Sequence, residues 1–140
     1  MAVLESKLDQ KMIGYVTTFE TLTRARVKDL FLSVDGVLLF VVYQGEGGKA
    51  IGKGGAHIRR LMNLLRKKIK VIELSSAIDD FVKNVIDPLV ADAIEVHGDV
   101  VTVSLKDITM KGKLIGRNGK NLKLLNALVE KYFQKHVAVA

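Results

Sequence analysis

Apolar residues step along the start of the chain by threes and fours. Leu4, Leu8, Met12, Tyr15, Phe19 and Leu22 share one face at the helical period, which predicts an amphipathic helix over residues 4–23. The pattern then changes. Two β-branched or apolar runs, Val27–Ser33 and Val37–Tyr43, are split by Asp35-Gly36, the signature of a strand hairpin. A short helix is predicted around Gly47–Ile51, followed by a glycine-rich loop. A longer helix over Gly55–Lys67 carries Ile58, Leu61, Met62 and Leu65 on one face, and Val71–Leu74 reads as a closing strand.

The same order then recurs. A helix is predicted over Ala77–Ile86, with Ser76 as its N-cap, Asp79 three residues on and Pro88 marking its end. Strands are predicted over Ala91–Val96 and Val100–Leu105, a loop at Gly116–Gly119, a long helix to about Gln134 and a last strand over Val137–Ala140. Residue identities repeat as well. Lys49-Ala50-Ile51-Gly52-Lys53-Gly54-Gly55 matches Lys113-Leu114-Ile115-Gly116-Arg117-Asn118-Gly119 at an offset of 64 residues. Downstream, Ile58 pairs with Leu122, Arg59 with Lys123, Leu61 with Leu125, Leu64 with Leu128 and Leu65 with Val129. Upstream, the strand starting at Val37 aligns with one starting at Val101, and Val27–Leu32 with Ala91–Val96. A period this long is two copies of a small α+β domain, residues 1–75 and 76–140, rather than a solenoid unit. The linker between them is short, so the two are expected to pack rigidly.

Charge sharpens this picture. The net charge is +7, which suits a polyanionic partner. Residues 49–70 hold eight Lys and Arg and no acid, and residues 111–135 hold seven against the single Glu130, whereas residues 71–99 hold seven acids against one lysine. The positive charge therefore sits on the loop–helix segment of both copies. There is no cysteine, which excludes disulfides and Cys-ligated zinc. The N-terminus lacks the pattern of a secretory signal, and the longest apolar run, Val37–Tyr43, is too short to span a bilayer. A cytoplasmic protein with no membrane association is expected.

Each loop interrupts a helical stretch. Glycine inside a helix costs roughly 1 kcal/mol relative to alanine, so two such sites at equivalent places need a reason. A tight turn between helices is one, and close approach of a ligand to bare backbone is another. The helix that follows opens with unsatisfied N–H groups and the positive end of its dipole, a phosphate-binding arrangement. Lys53 and Arg117 add cationic side chains.

The segments around Gly52–Gly55 and Gly116–Gly119 resemble the GXXG loops of KH domains. The element order resembles the type II arrangement, and the tandem pair resembles the KH region of the archaeal NusA-like family. The resemblance covers nearly the whole chain. It implies two tandem type II KH domains, each a three-stranded sheet packed by helices on one face. It implies single-stranded RNA as the partner, with each loop clamping the backbone of about four nucleotides, and a role in transcription termination or antitermination. The RNA-binding residues it implies are Ile51, Gly52, Lys53, Gly54, Gly55 and Arg59 in the first copy. In the second they are Ile115, Gly116, Arg117, Asn118, Gly119, Lys120 and Lys123. Ile51, Ile58, Val71 and Ile72, with Ile115 and Leu122, are candidates for a base-binding groove; a core position is the other reading of each, and the favoured one. The polymerase-binding and S1 domains of bacterial NusA have no counterpart in these residues, so RNA polymerase is only a candidate partner.

Other readings compete. Gly47-x-x-x-x-Gly52-Lys53-Gly54 is close to a P-loop but has glycine where a magnesium-binding Ser or Thr belongs. Gly45-x-Gly47-x-x-Ala50 after a strand imitates a dinucleotide fingerprint, with Glu73 in the place of the ribose-binding acid, but the second copy does not keep the pattern. His57, His97 and His136 are scattered, so neither catalysis nor a metal site is expected, and no cofactor or small-molecule substrate. His57 reads as an exposed helix residue, or as one near enough to the loop to touch RNA. Arg66-Lys67-Lys68 either contacts phosphate or simply opposes a helix dipole. The alternative of another class is a scaffold or ribosome-associated assembly protein that docks a protein partner on the acidic segment 71–99.

Overall fold

Helices and strands alternate along a chain that divides into two units between Ser75 and Ser76. The computed structural model describes residues 10–140. Unit 1 contains α1 (Gln10–Thr23), β1 (Val27–Leu32), β2 (Leu38–Val42), α2 (Gly47–Ile51), α3 (Ala56–Leu65) and β3 (Ile69–Glu73). Unit 2 contains α4 (Ile78–Ile86), β4 (Ala93–His97), β5 (Val100–Ser104), α5 (Ile108–Ile115), α6 (Lys120–Phe133) and β6 (His136–Val139). A single 3₁₀ turn, Lys53–Gly55 or Arg117–Gly119, joins the short helix to the long one in each. This is an α+β chain with two three-stranded sheets. Positions Leu4 and Leu8 of the first predicted helix lie outside the described residues.

Each sheet is mixed. In unit 1 the order is β1-β2-β3, with β2 antiparallel to β1 and parallel to β3. Unit 2 repeats it as β4-β5-β6. A parallel partner cannot be reached by a tight turn, so the chain must cross over the sheet between β2 and β3 and again between β5 and β6. The helix–turn–helix segment is that crossover.

The crossover is held by a core that the helical and strand periods generate. Leu38, Phe40 and Val42 point to one face of β2, where Met12 and Phe19 of α1, Ala50 of α2 and Leu61 of α3 join them in one buried cluster. Phe19 stacks on Phe40 with ring centroids 4.1 Å apart. Leu39 and Val41 on the opposite face of β2 are also withdrawn from solvent. Thr23, the buried polar residue, is satisfied: its hydroxyl donates to the Phe19 carbonyl and accepts from the Ala25 N–H. In unit 2, Val101, Val103 and Val137 are buried on the sheet, Phe81 on α4, and Leu125, Leu128 and Val129 on α6. The Phe81 ring meets those of Tyr132 and Phe133 at 5.6 and 5.4 Å.

Three details differ from the sequence reading. The sheets do not keep the 64-residue offset that the loops obey: Leu38 lies opposite Ile69, 31 residues on, whereas Val100 lies opposite His136, 36 residues on, so the crossover of unit 2 is five residues longer. The ungapped alignment pairs buried Val101 and Val103 with Val37 and Leu39, whereas the unit 1 cluster takes Leu38, Phe40 and Val42 from the alternate positions of β2. Two of the extra residues fall before Gly116, in the stretch that holds α5, and three fall after it, in the stretch that holds α6; α5, a helix not individually predicted, has Asp107 as its N-cap, which accepts from the N–H groups of Thr109 and Met110. Finally, the N-cap of α4 is Ala77, without a side-chain bond, rather than Ser76; Asp79 and Asp80 in the first turn complement the dipole there instead.

Two carboxylates fasten the β2–α2 corner. Glu46 accepts from the Arg26 N–H at 2.8 Å and pairs with Lys49 at 3.3 Å. Glu73 accepts from the Gly45 N–H at 2.9 Å, and its carboxylate lies where a Cβ on residue 47 would stand, so a side chain there would have to displace it. The Arg26 N–H holds the Glu46 carboxyl below the ordinary carboxylate range; partial desolvation opposes this, and Lys49 adds to the lowering. A folded-state value below the unfolded one stabilises the fold fully at neutral pH, and that contribution is lost as pH falls through the folded value. Glu46→Gln should therefore lower the unfolding midpoint at pH 7, and the gap from the unaltered chain should close on acidification below about pH 4. Thermal unfolding of both chains across that range checks it.

Candidate nucleic-acid interface

The two loops have the same backbone. Gly52 lies at φ 77°, ψ 167° and Gly116 at φ 77°, ψ 169°. Gly54 lies at φ 61°, ψ 21° and Asn118 at φ 59°, ψ 23°. Gly55 and Gly119 follow at φ 78° and 73°, both with ψ 15°. The first position is in a region that essentially only glycine enters. The third is ordinary left-handed backbone, which asparagine tolerates better than other side chains. This accounts for Asn118 standing where the first copy has Gly54.

The hydrogen bonds coincide too. The N–H of Gly52 donates to the Gly48 carbonyl at 3.0 Å, and that of Gly116 to Gly112 at 2.9 Å. The N–H of Gly55 donates to Gly52 at 3.1 Å, and that of Gly119 to Gly116 at 3.0 Å. A side chain from the following helix then reaches back over each turn. His57 Nδ1 meets the Lys49 carbonyl at 2.7 Å, and Asn121 Nδ2 donates to the Lys113 carbonyl at 2.9 Å. A carbonyl can only accept, so His57 carries its proton on Nδ1. These two side chains lie 2.7 Å from where a Cβ on Gly52 or Gly116 would be. His57 is thus part of the loop's framework, not a bystander on an exposed helix. Sequence reasoning had one signal for it, the alignment of His57 with Asn121, two residues that share a donor at the δ position.

Lys53, Gly54, Arg117 and Asn118 are exposed at the tips. Neither Lys53 nor Arg117 forms an ion pair among the described residues. The Arg59 guanidinium donates to the Gly54 carbonyl at 2.5 Å, bracing its own loop with one of five N–H donors; its counterpart Lys123 lies beside Gly119. Gly55 and Gly119 are N-caps without side chains, so the first turns of α3 and α6 open directly behind the cationic tips. Ile51 is 44% exposed beside the first loop, while Ile115 and Lys120 are half-buried.

Of the groove candidates, Ile58 and Leu122 are half-buried. Val71 packs against the unit 1 cluster. Ile72, 1% exposed, belongs to the core and offers no surface to a ligand. The P-loop imitation fails because Gly47–Ile51 is helix where a phosphate-wrapping loop would be needed. The dinucleotide imitation fails because Glu73 is already bound to the Gly45 N–H. The acidic segment is likewise partly committed: Asp92 accepts from the Lys106 N–H at 2.6 Å, and Asp80 pairs with Lys83 at 3.9 Å. Among the described residues, no three His, Asp or Glu side chains converge as metal ligands, and no helix is long and apolar enough to cross a membrane.

Two glycine-hinged turns of equal geometry, each set in the crossover of a mixed sheet, define the class. The chain belongs to the KH domain family, whose model matches residues 15–107. Within it, the chain is similar to archaeal NusA-like proteins. It is 34% identical over 119 residues to the "Probable transcription termination protein NusA" of Methanococcus vannielii, covering 83% of this chain and 68% of that one. It is 30% identical over 129 residues to the protein of the same name from Halobacterium salinarum, covering 91% and 92%. The crystal structure of APE1850 matches with a TM-score of 0.70 at 27% identity, covering 95% of this chain and all of that one.

The geometry ranks substitutions within the loop. Gly52→Ala introduces a Cβ against His57 in a glycine-only backbone region and should cost about 1–3 kcal/mol. Gly54→Asn copies Asn118 into open space and should leave stability within about 0.5 kcal/mol of the unaltered chain. Urea unfolding of the two variants checks the order; equal losses would contradict it.

Proposed function

We propose that the chain binds single-stranded RNA through both loops and acts in transcription termination or antitermination. In this reading residues 1–75 and 76–140 are each a KH domain of type II, a reading supported by the mixed sheet and the helix that precedes its hairpin. The observation that carries the binding is the coincidence, twice in one chain, of a bare glycine turn, an exposed cationic tip and the N-terminus of a basic helix. Gly52, Gly54 and Gly55, with Gly116, Asn118 and Gly119, let a phosphate backbone approach the protein backbone. Lys53, Arg117, Lys120 and Lys123 supply charge, and Arg59 combines charge with its hold on Gly54. Ile51 and Ile115 offer apolar surface to a base. The transcriptional role rests on the names of the archaeal relatives; RNA polymerase is a candidate partner only through the resemblance to NusA.

Charge reversal at the tips tests the reading. Lys53→Asp with Gly54→Asp, and separately Arg117→Asp with Asn118→Asp, should each weaken binding of a single-stranded RNA by more than tenfold while circular dichroism reports an intact fold. The plot of log affinity against log salt should fall linearly, and its slope should shrink by about 0.7 for each phosphate that the variant no longer neutralises. Unchanged affinity in folded variants would overturn the loop as the binding element.

A further inference from the structure

The carbonyl groups of Lys49 and Lys113 open a second layer of the site. In a continuing helix each would accept from the N–H four residues on, at Lys53 and Arg117. The chain leaves the helix at Gly52 and Gly116, so that donor is withdrawn and the carbonyl is orphaned at the helix end. His57 and Asn121 supply the replacement, each from the second residue of the next helix. His Nδ1 and Asn Nδ2 stand the same number of bonds from the backbone, so two different side chains deliver a donor to one point. The bond ties the last turn of the short helix to the first turn of the long one. It thereby fixes the bend that carries the loop tip, and α2 is only five residues long, with few bonds of its own to do so.

We infer that His57 and Asn121 are positioning residues that hold the two loops in the bend that receives RNA, a role resting on the RNA-binding reading above. They act through the loop backbone, and the identity of the side chain matters only through its δ donor. Gly52 and Gly116 serve the same end, since any side chain there would displace the latch.

The intact chain tests this with alanine and exchange variants. His57→Ala and Asn121→Ala should each weaken binding of a single-stranded RNA oligomer roughly three- to tenfold, the worth of one hydrogen bond. His57→Asn and Asn121→His swap the solutions of the two copies and should restore affinity to within about twofold, as the shared δ donor requires. Alanine variants that bind like the unaltered chain overturn the inference. So do swap variants as weak as the alanine ones, since the side chain would then be touching RNA itself. Amide hydrogen exchange without RNA separates the two layers: Gly54 and Gly55 should exchange faster in His57→Ala, and Asn118 and Gly119 in Asn121→Ala. Unchanged exchange there overturns the latch even where the unaltered chain proves not to bind RNA, an outcome that would sink the RNA-binding reading on its own.

Discussion

The parallel pairing of β2 with β3, and of β5 with β6, forces the chain to cross its own sheet, and the manner of that crossing shapes everything else. A single unbroken helix would expose side chains on its outer face but no bare arc of backbone. Breaking it with one turn in positive-φ backbone lifts a short glycine-rich arc off the surface and restarts a helix behind it. The arc costs helical hydrogen bonds, and the structure replaces them locally: Gly52 and Gly116 keep one, His57 and Asn121 recover another, and Arg59 adds a third in the first copy. The site is therefore built from the repair of a broken helix.

Charge then follows geometry. The cations concentrate on the segments that carry the arcs, and the acids concentrate on elements that have other work. Glu46 and Glu73 pin the β2–α2 corner, Asp107 caps α5, and Asp92 holds the start of the segment after β5. An acidic surface kept for a protein partner would leave these carboxylates unengaged. Of these, Glu73 and Asp92 belong to the acidic segment 71–99, so part of that segment fastens the fold.

The periodicities were legible because they come from burial. The strands, the short helix at Gly47–Ile51 and the two loops follow directly from where apolar residues and glycines fall. What escaped was whatever depends on a few polar atoms or on counting across a gap. The five extra residues in the crossover of unit 2 are invisible to an alignment carried without gaps. Helix α5 is marked by its Asp107 cap rather than by a strong apolar stripe. The length of α6, 14 residues against 10 in α3, did not escape: the long helix was expected to run to about Gln134. Ile72, a groove candidate for which core was the favoured reading, is core, since β2 draws in side chains from both faces. His57 and Asn121 fall at the same 64-residue offset, but their common bond depends on the bend of the intervening turn and cannot be read from the sequence.

The central claim is that RNA is received on the two glycine arcs. The most direct measurement follows the backbone amides of the intact chain by NMR as a single-stranded RNA oligomer is added. The account predicts that the first and largest shifts fall on residues 52–57 and 116–121, at the tips and the first turns of α3 and α6. Shifts confined to the sheet strands or to the acidic segment 71–99, with both arcs silent, would contradict it.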